Sequence, residues 1–137
     1  MAGKYGVLTA SQDFLEFFST LDAVRQQSAE NTADAWIDRM FEGYDRTTWS
    51  GASSTTPPEV RDAWLRWASA DYITRDFLAT NPAASDDQLA GPKFLRDDAM
   101  AIVQRAQTVG YLVGLDGARL GPVDDRGAGD FSVEVTR

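Results

Sequence analysis

The sequence predicts an all-α fold: a small bundle of about four helices, followed by an extended C-terminal arm that ends in a short β-strand. Three observations carry this reading. Between Thr56 and Asn81 a start signal, an apolar stripe and a stop signal agree on one long helix. A second seam, Leu95, Ala99, Ile102, Ala106, Val109 and Val113, advances by alternating steps of four and three, which is the spacing of one helix face. Beyond Gly114 that period vanishes and glycine becomes frequent. The division that follows is a helical bundle over 1–113 and an extended glycine-rich arm over 114–137.

Taken in order, residues 1–8 are a lead-in. Thr9 with Gln12 has capping-box spacing, and Ser11 is the alternative cap. A first helix is expected from there to about Thr20, carrying Phe14, Leu15, Phe17, Phe18 and Leu21, with Leu8 as its staple. The stretch Asp22–Ala29 either continues that helix or forms a short one of its own. Asn31 or Thr32 restarts the pattern, and Ala33, Trp36, Ile37, Met40 and Tyr44 share a stripe with Phe41 at its border. This helix is expected to end near Asp45–Trp49, before the small, polar loop 50–55.

The central helix has Thr56 as cap, Glu59 at the capping-box position and Pro57 at the first helical position, where a missing N–H costs nothing. Its stripe is Val60, Ala63, Trp64, Trp67, Ala70, Asp71, Thr74, Phe77 and Leu78. Asn81-Pro82 stops it, because the residue before proline is driven out of the helical region. The loop 82–92 has proline at both ends, and Pro92 opens the last helix. Gly110 weakens that helix near its end and Gly114 terminates it. The Trp64, Trp67 and Phe77 face of the central helix is expected to pack on the Leu95–Val113 seam. In the arm, Phe131, Val133 and Val135 alternate with polar residues as a strand does. A lone strand is not stable, so it needs a partner, either the lead-in around Tyr5–Leu8 or another molecule.

Composition narrows function. The 137 residues suffice for one domain with its own core. There is no cysteine and no histidine, which removes disulfides, thiolate sites, the commonest general base and the commonest metal ligand. The net charge is −8, from 21 acids and 13 bases. Such a chain repels phosphate backbones rather than binding them. Aspartate excess with few lysines suits a high-salt cytoplasm, where carboxylates keep a surface hydrated; a GC-rich genome gives the same bias. No window reaches the roughly 18 apolar residues of a membrane span, and the N-terminus has no hydrophobic signal core, so the expected place of action is inside a cell.

The aspartate pairs Asp86-Asp87, Asp97-Asp98 and Asp124-Asp125 lack calcium-loop spacing and read as solvated or helix-start charge. An enzyme using aspartates and a divalent metal is the weakest reading, and Asp97 and Asp98 are where it would be sought. The glycine-rich tail has no phosphate-binding fingerprint. Trp36, Trp64 and Trp67 are most simply core, while Trp49 beside Arg46 is core or interface. Asp71 within the apolar stripe, with Arg75 one turn on, is either a partly buried carboxylate paired with an arginine of a neighbouring helix or a subunit contact. The terminal Phe131–Val135 segment is suited to adding a strand to a neighbour. No catalytic, cofactor-binding or metal-binding residue is assigned.

The order of these pieces resembles the head–tail connector (adaptor) proteins of tailed viruses. The resemblance rests on the lead-in and short aromatic helix YGVLTASQDFLEFF, the helix ADAWIDRMFEGY, the Pro-led helix PPEVRDAWLRWASADYI and the last helix PKFLRDDAMAIVQRAQTVGYLVGL, and covers about residues 5–116. It implies a non-enzymatic virion subunit that forms a ring, commonly a dodecamer. That ring docks on the portal protein, passes genome dsDNA through its lumen without reading sequence, and offers its other face to a neck, stopper or tail-completion protein. Asp71, Arg75, Trp49, Phe131, Val133 and Val135 are the candidate portal or subunit contacts, and no cofactor or membrane is implied. The alternative is a small intracellular helical interaction or regulatory domain.

Overall fold

The structure is a computed structural model, and it describes residues 4–10, 14–16, 18–50, 56–109, 112–113 and 119–120. Among these the chain is helical, with α1 spanning Ala23–Met40, α2 Pro58–Thr80 and α3 Ala90–Val109. After α3, Leu112–Val113 (β1) and Arg119–Leu120 (β2) form a two-residue antiparallel ladder. The helices run up, down and up. Arg25 of α1 meets Asp76 of α2, and Asp34 meets Trp64. On the other flank Thr74 meets Arg96 of α3, and Arg66 meets Asp98. α2 therefore lies between its two neighbours, antiparallel to both.

α1 starts earlier than the restart expected at Asn31 or Thr32. Asp22 is its cap, accepting from the Arg25 amide at 3.0 Å. Asn31 and Thr32 sit inside the helix, where Gln27 donates to Asn31 and the Thr32 hydroxyl donates back to the Ser28 carbonyl. The early turns lack an apolar stripe because little is buried there: Val24 is 75% exposed, and burial begins at Ala29. The helix stops at Met40, before the expected Asp45–Trp49. The Arg46 guanidinium takes the carbonyls of Phe41 and Tyr44, and a cation at that end also opposes the helix dipole.

The helix expected between Thr9 and about Thr20 is a correction. None of the described residues there is helical: Phe14–Glu16 form a turn, and the Phe18 amide donates to the Leu15 carbonyl at 3.0 Å. The bulky residues instead spread over α2. Leu15 is fully buried, Phe14 lies under the Arg66 guanidinium, and Phe18 meets Tyr72 edge-on at 5.2 Å. A segment that wraps a helix uses aromatic residues as pegs rather than as a stripe, and a list of apolar positions does not distinguish the two.

α2 has the stop expected at Asn81, whose amide closes the last turn on Phe77. Its start is shifted by one residue: Pro57 is the cap position, without a side-chain bond, and Pro58 opens the helix. Thr56 is buried and is used elsewhere. Its hydroxyl accepts from the Ser50 amide and donates to the Ser50 carbonyl, both at 2.8 Å, which ties Thr56 to Ser50. The buried set Val60, Ala63, Trp64, Ala68, Ser69, Ala70 and Tyr72 goes round most of the helix, so the single stripe read from sequence is too narrow. The contacts shown for the tryptophans are with α1 rather than with the α3 seam. Trp67 stacks on Trp36 of α1, ring centroids 4.1 Å apart and planes within 4°, and Trp64 also turns towards α1.

Small residues line the other contact. Ala63 and Ala70 on α2, and Ala99, Val103 and Ala106 on α3, are buried, and side chains of this size allow close helix approach. Ala99 and Ala106 belong to the expected seam, but Leu95 and Ile102 are only partly buried and Val103 takes the central place. α3 begins two residues before Pro92 and ends at Val109, so Val113 lies in β1 and not on the helix. Phe131, Val133 and Val135 lie outside the described residues.

Trp36 is 1% exposed at the centre of this packing, whereas Phe94 on α3 is 65% exposed. Trp36→Ala is expected to cost about 3–5 kcal/mol in urea unfolding, and Phe94→Ala to stay within about 0.5 kcal/mol. Equal losses would place the core elsewhere.

Candidate functional site

α1 carries Glu30, Asp34 and Asp38 one after another at four-residue steps, which puts three carboxyl groups in a row along one face. Like charges at that spacing oppose the helix by a few tenths of a kcal/mol per pair. Here the row is filled by donors. The lead-in, residues 4–8, lies across it as an extended strap running opposite to α1. Asp34 accepts the Lys4 amide at 2.7 Å and the Tyr5 amide at 3.3 Å. Glu30 accepts the Leu8 amide at 2.9 Å, and Gln26 donates to the Leu8 carbonyl at 2.9 Å. Asp38 accepts the Tyr5 hydroxyl and, at 3.3 Å, the Lys4 ammonium. The amides of Lys4, Tyr5 and Leu8 are thus spent on α1, which removes them from the strand pairing that the sequence allowed for this segment.

α2 completes the seat. The Trp64 indole donates to Asp34 at 2.8 Å, and the strap crosses its ring at Gly6. A Cβ on Gly6 would come within 2.6 Å of two ring carbons, so only glycine fits against that face. Tyr5 and Leu8 on either side are buried to 1% exposure and anchor the strap in the core. Glu30 is also fully buried, and its second oxygen, Oε1, has no hydrogen-bond partner among the described residues.

At the Lys4 end the row becomes an ion cluster. Burial pushes the Asp38 carboxyl up, but the Tyr5 hydroxyl, Lys4 and Arg46 outweigh it and hold it below its ordinary value. Burial and the Asp38 hydrogen bond push the Tyr5 phenol up. The hydrogen bond with Tyr5, together with Asp38, raises Lys4. Arg46 reaches Asp38 at 3.2 Å from the turn after α1. Beside the cluster an open groove of about 360 Å³ is bounded by Lys4, Glu42, Tyr44, Arg46 and Trp49.

The contact residues read from sequence are not brought together. Trp49 is 4% exposed and packs against Tyr5, Phe41 and Tyr44, so it is core that also forms one wall of the groove. Asp71 pairs with Arg75 on its own helix, not with an arginine of a neighbouring helix, and Arg75 also reaches the Thr32 hydroxyl of α1 at 3.3 Å. Asp98 pairs with Arg66 while Asp97 is exposed. Among the described residues no three acidic side chains converge as a metal site, and no helix is long and apolar enough to cross a membrane. The carboxylate row is not among the residues that the sequence singles out. Its signal is the acid repeated every four residues next to the Ala33–Trp36–Ile37 stripe, with Gly6 set between Tyr5 and Leu8. The chemistry of the arrangement is binding: a row of acceptors matched to backbone donors.

Asp38→Ala removes the acceptor of the Tyr5 hydroxyl. Because the Asp38 side chain is about a third exposed, the expected loss is near the low end for such groups, about 1 kcal/mol. Since its folded-state value is depressed, its contribution is complete above the ordinary carboxylate range, near 4, and is lost as pH falls through the folded-state value. Urea unfolding at a series of pH values should therefore show a smaller acid loss for Asp38→Asn than for the parent protein. Compared with known proteins, the chain matches no family model, no curated protein and no solved structure.

Proposed function

We propose that this chain is a structural virion protein, a head-to-tail adaptor that forms a ring on the portal and extends the DNA channel towards the neck and tail. The reading rests on one observation, the resemblance in element order over about residues 5–116. That order is a Tyr-led lead-in with an aromatic segment (not the short helix expected there), a helix, a polar loop, a proline-led central helix and a last helix. The glycine-rich arm is no fixed part of it. The physical character of the chain supports it. A net charge of −8 suits a lumen along which DNA slides without being held. Ring contacts are heterologous, joining two different patches of each copy, and a small bundle gains reach for them from an arm.

Within this reading the neighbours are other copies of the chain, a dodecamer in the group it resembles, with a neck, stopper or tail-completion protein on the far side. Asp71 and Arg75 are the surface pair with which a portal or a neighbouring copy would compete, and Phe131, Val133 and Val135 belong to the arm. Trp49, buried in the core, would take part only through the wall it gives the groove. The virion head–tail junction is the proposed location.

Deleting residues 114–137 is expected to abolish stable docking on portal rings in sedimentation while the circular dichroism of the remaining bundle stays helical. Docking by the truncated protein would remove the arm from the interface. A particle reconstruction that places the chain away from the portal vertex would sink the adaptor reading and favour the small helical interaction domain.

A further inference from the structure

We infer that residues 4–8 are an acid-operated latch: the strap leaves the bundle as one piece when the Glu30–Asp34–Asp38 row takes up protons, and its departure uncovers the ring face of Trp64. Three features of the molecule lead to this. First, the strap amides of Lys4, Tyr5 and Leu8 donate to side-chain carboxylates. A helix or sheet ladder does not titrate, whereas a carboxylate that becomes a carboxylic acid is a much weaker acceptor. Second, α1 and α2 also hold each other at places away from the strap, through the Trp36–Trp67 stack and the Arg25–Asp76 pair, both outside the row. Third, the strap meets Trp64 through Gly6, the one position there without a side chain, so the two surfaces separate without unthreading anything.

The charged and titratable groups around the row set the direction. From the strap, Lys4 and Tyr5 face Asp38; from the turn after α1, Arg46 faces the same carboxyl. From α2, the Trp64 indole faces Asp34; from α1 itself, Gln26 faces Glu30. Lys4 and Arg46 share Asp38 Oδ1. Once Asp38 is neutral, two cations are left on one acid and repel each other. Arg46 is tied to the Phe41 and Tyr44 carbonyls, so Lys4 is the one that moves. Against release stand the buried Tyr5 and Leu8 side chains, which set how far into acid the latch stays shut.

The test is amide hydrogen exchange on the full chain between about pH 7 and about pH 3, with rates divided by the intrinsic rate at each pH. The amides of Tyr5 and Leu8 are compared with those of Ala33, Ala68 and Val103. The expected result is a fall of about tenfold or more in strap protection in acid while the helix amides stay protected. Gly6→Ala should open the strap at neutral pH with the helices intact. The combined Glu30→Gln, Asp34→Asn and Asp38→Asn variant should lose the pH dependence. Loss of strap and helix protection together, or strap protection unchanged through the acid range, overturns the latch. If the triple variant does not fold, the parent pH series and Gly6→Ala still decide.

Discussion

One side chain, Trp64, ties three parts of this molecule together. It belongs to α2, donates its indole N–H to Asp34 of α1 and carries Gly6 of the strap on its ring. Each contact requires the others. Asp34 is turned towards Trp64 because it also takes the amides of Lys4 and Tyr5, and the strap reaches those oxygens only because Gly6 has no Cβ to strike the ring. A buried polar network of this type specifies one arrangement, since any slip leaves a donor or a carboxylate unpaired. The aromatic cluster of Tyr5, Phe41, Tyr44 and Trp49 continues the same seam to the end of α1.

The central position of α2 explains which parts of the fold are legible in the sequence. Its end at Asn81 and the small residues Ala99 and Ala106 of α3 are local signals that lie where expected, and its proline-led start lies one residue later than expected. What covers α2 is not local. Tyr72 is buried because chain from far earlier, Phe18 and Asp22, lies upon it, and a single helical stripe gives no sign of a second covering. The same cause hides the fate of residues 9–20: Phe14, Leu15 and Phe18 have the composition of a helix face but serve as pegs on a surface made some 50 residues later. α1 is the converse case, since its first two turns bury almost nothing and rest on the Asp22 cap and good helix formers.

For the candidate contacts the limit is of another kind. Exposure and pairing separate Trp49 from Asp71 and Arg75, and that separation depends on tertiary packing. The carboxylate row was in plain view as a spacing, yet an acid every four residues on an α-helix ordinarily means a solvated face. Its meaning appears only when a donor-rich segment is laid against it. The adaptor reading gains nothing directly from the strap, which is held to the bundle by side chains.

The strap also has a bearing on how the chain is made. Residues 4–8 leave the ribosome before any part of their seat exists. α1 supplies the carboxylates after another 22 to 34 residues, and the Trp64 ring comes about 30 residues later still. At about 5–20 residues per second, the strap is made seconds before its seat is complete. Early α1 then carries three unneutralised acids at four-residue spacing, which weakens it until its own beginning returns to cover them. Vectorial synthesis therefore runs against the order of assembly here, and closure of the strap reports that at least the first two helices are already in place.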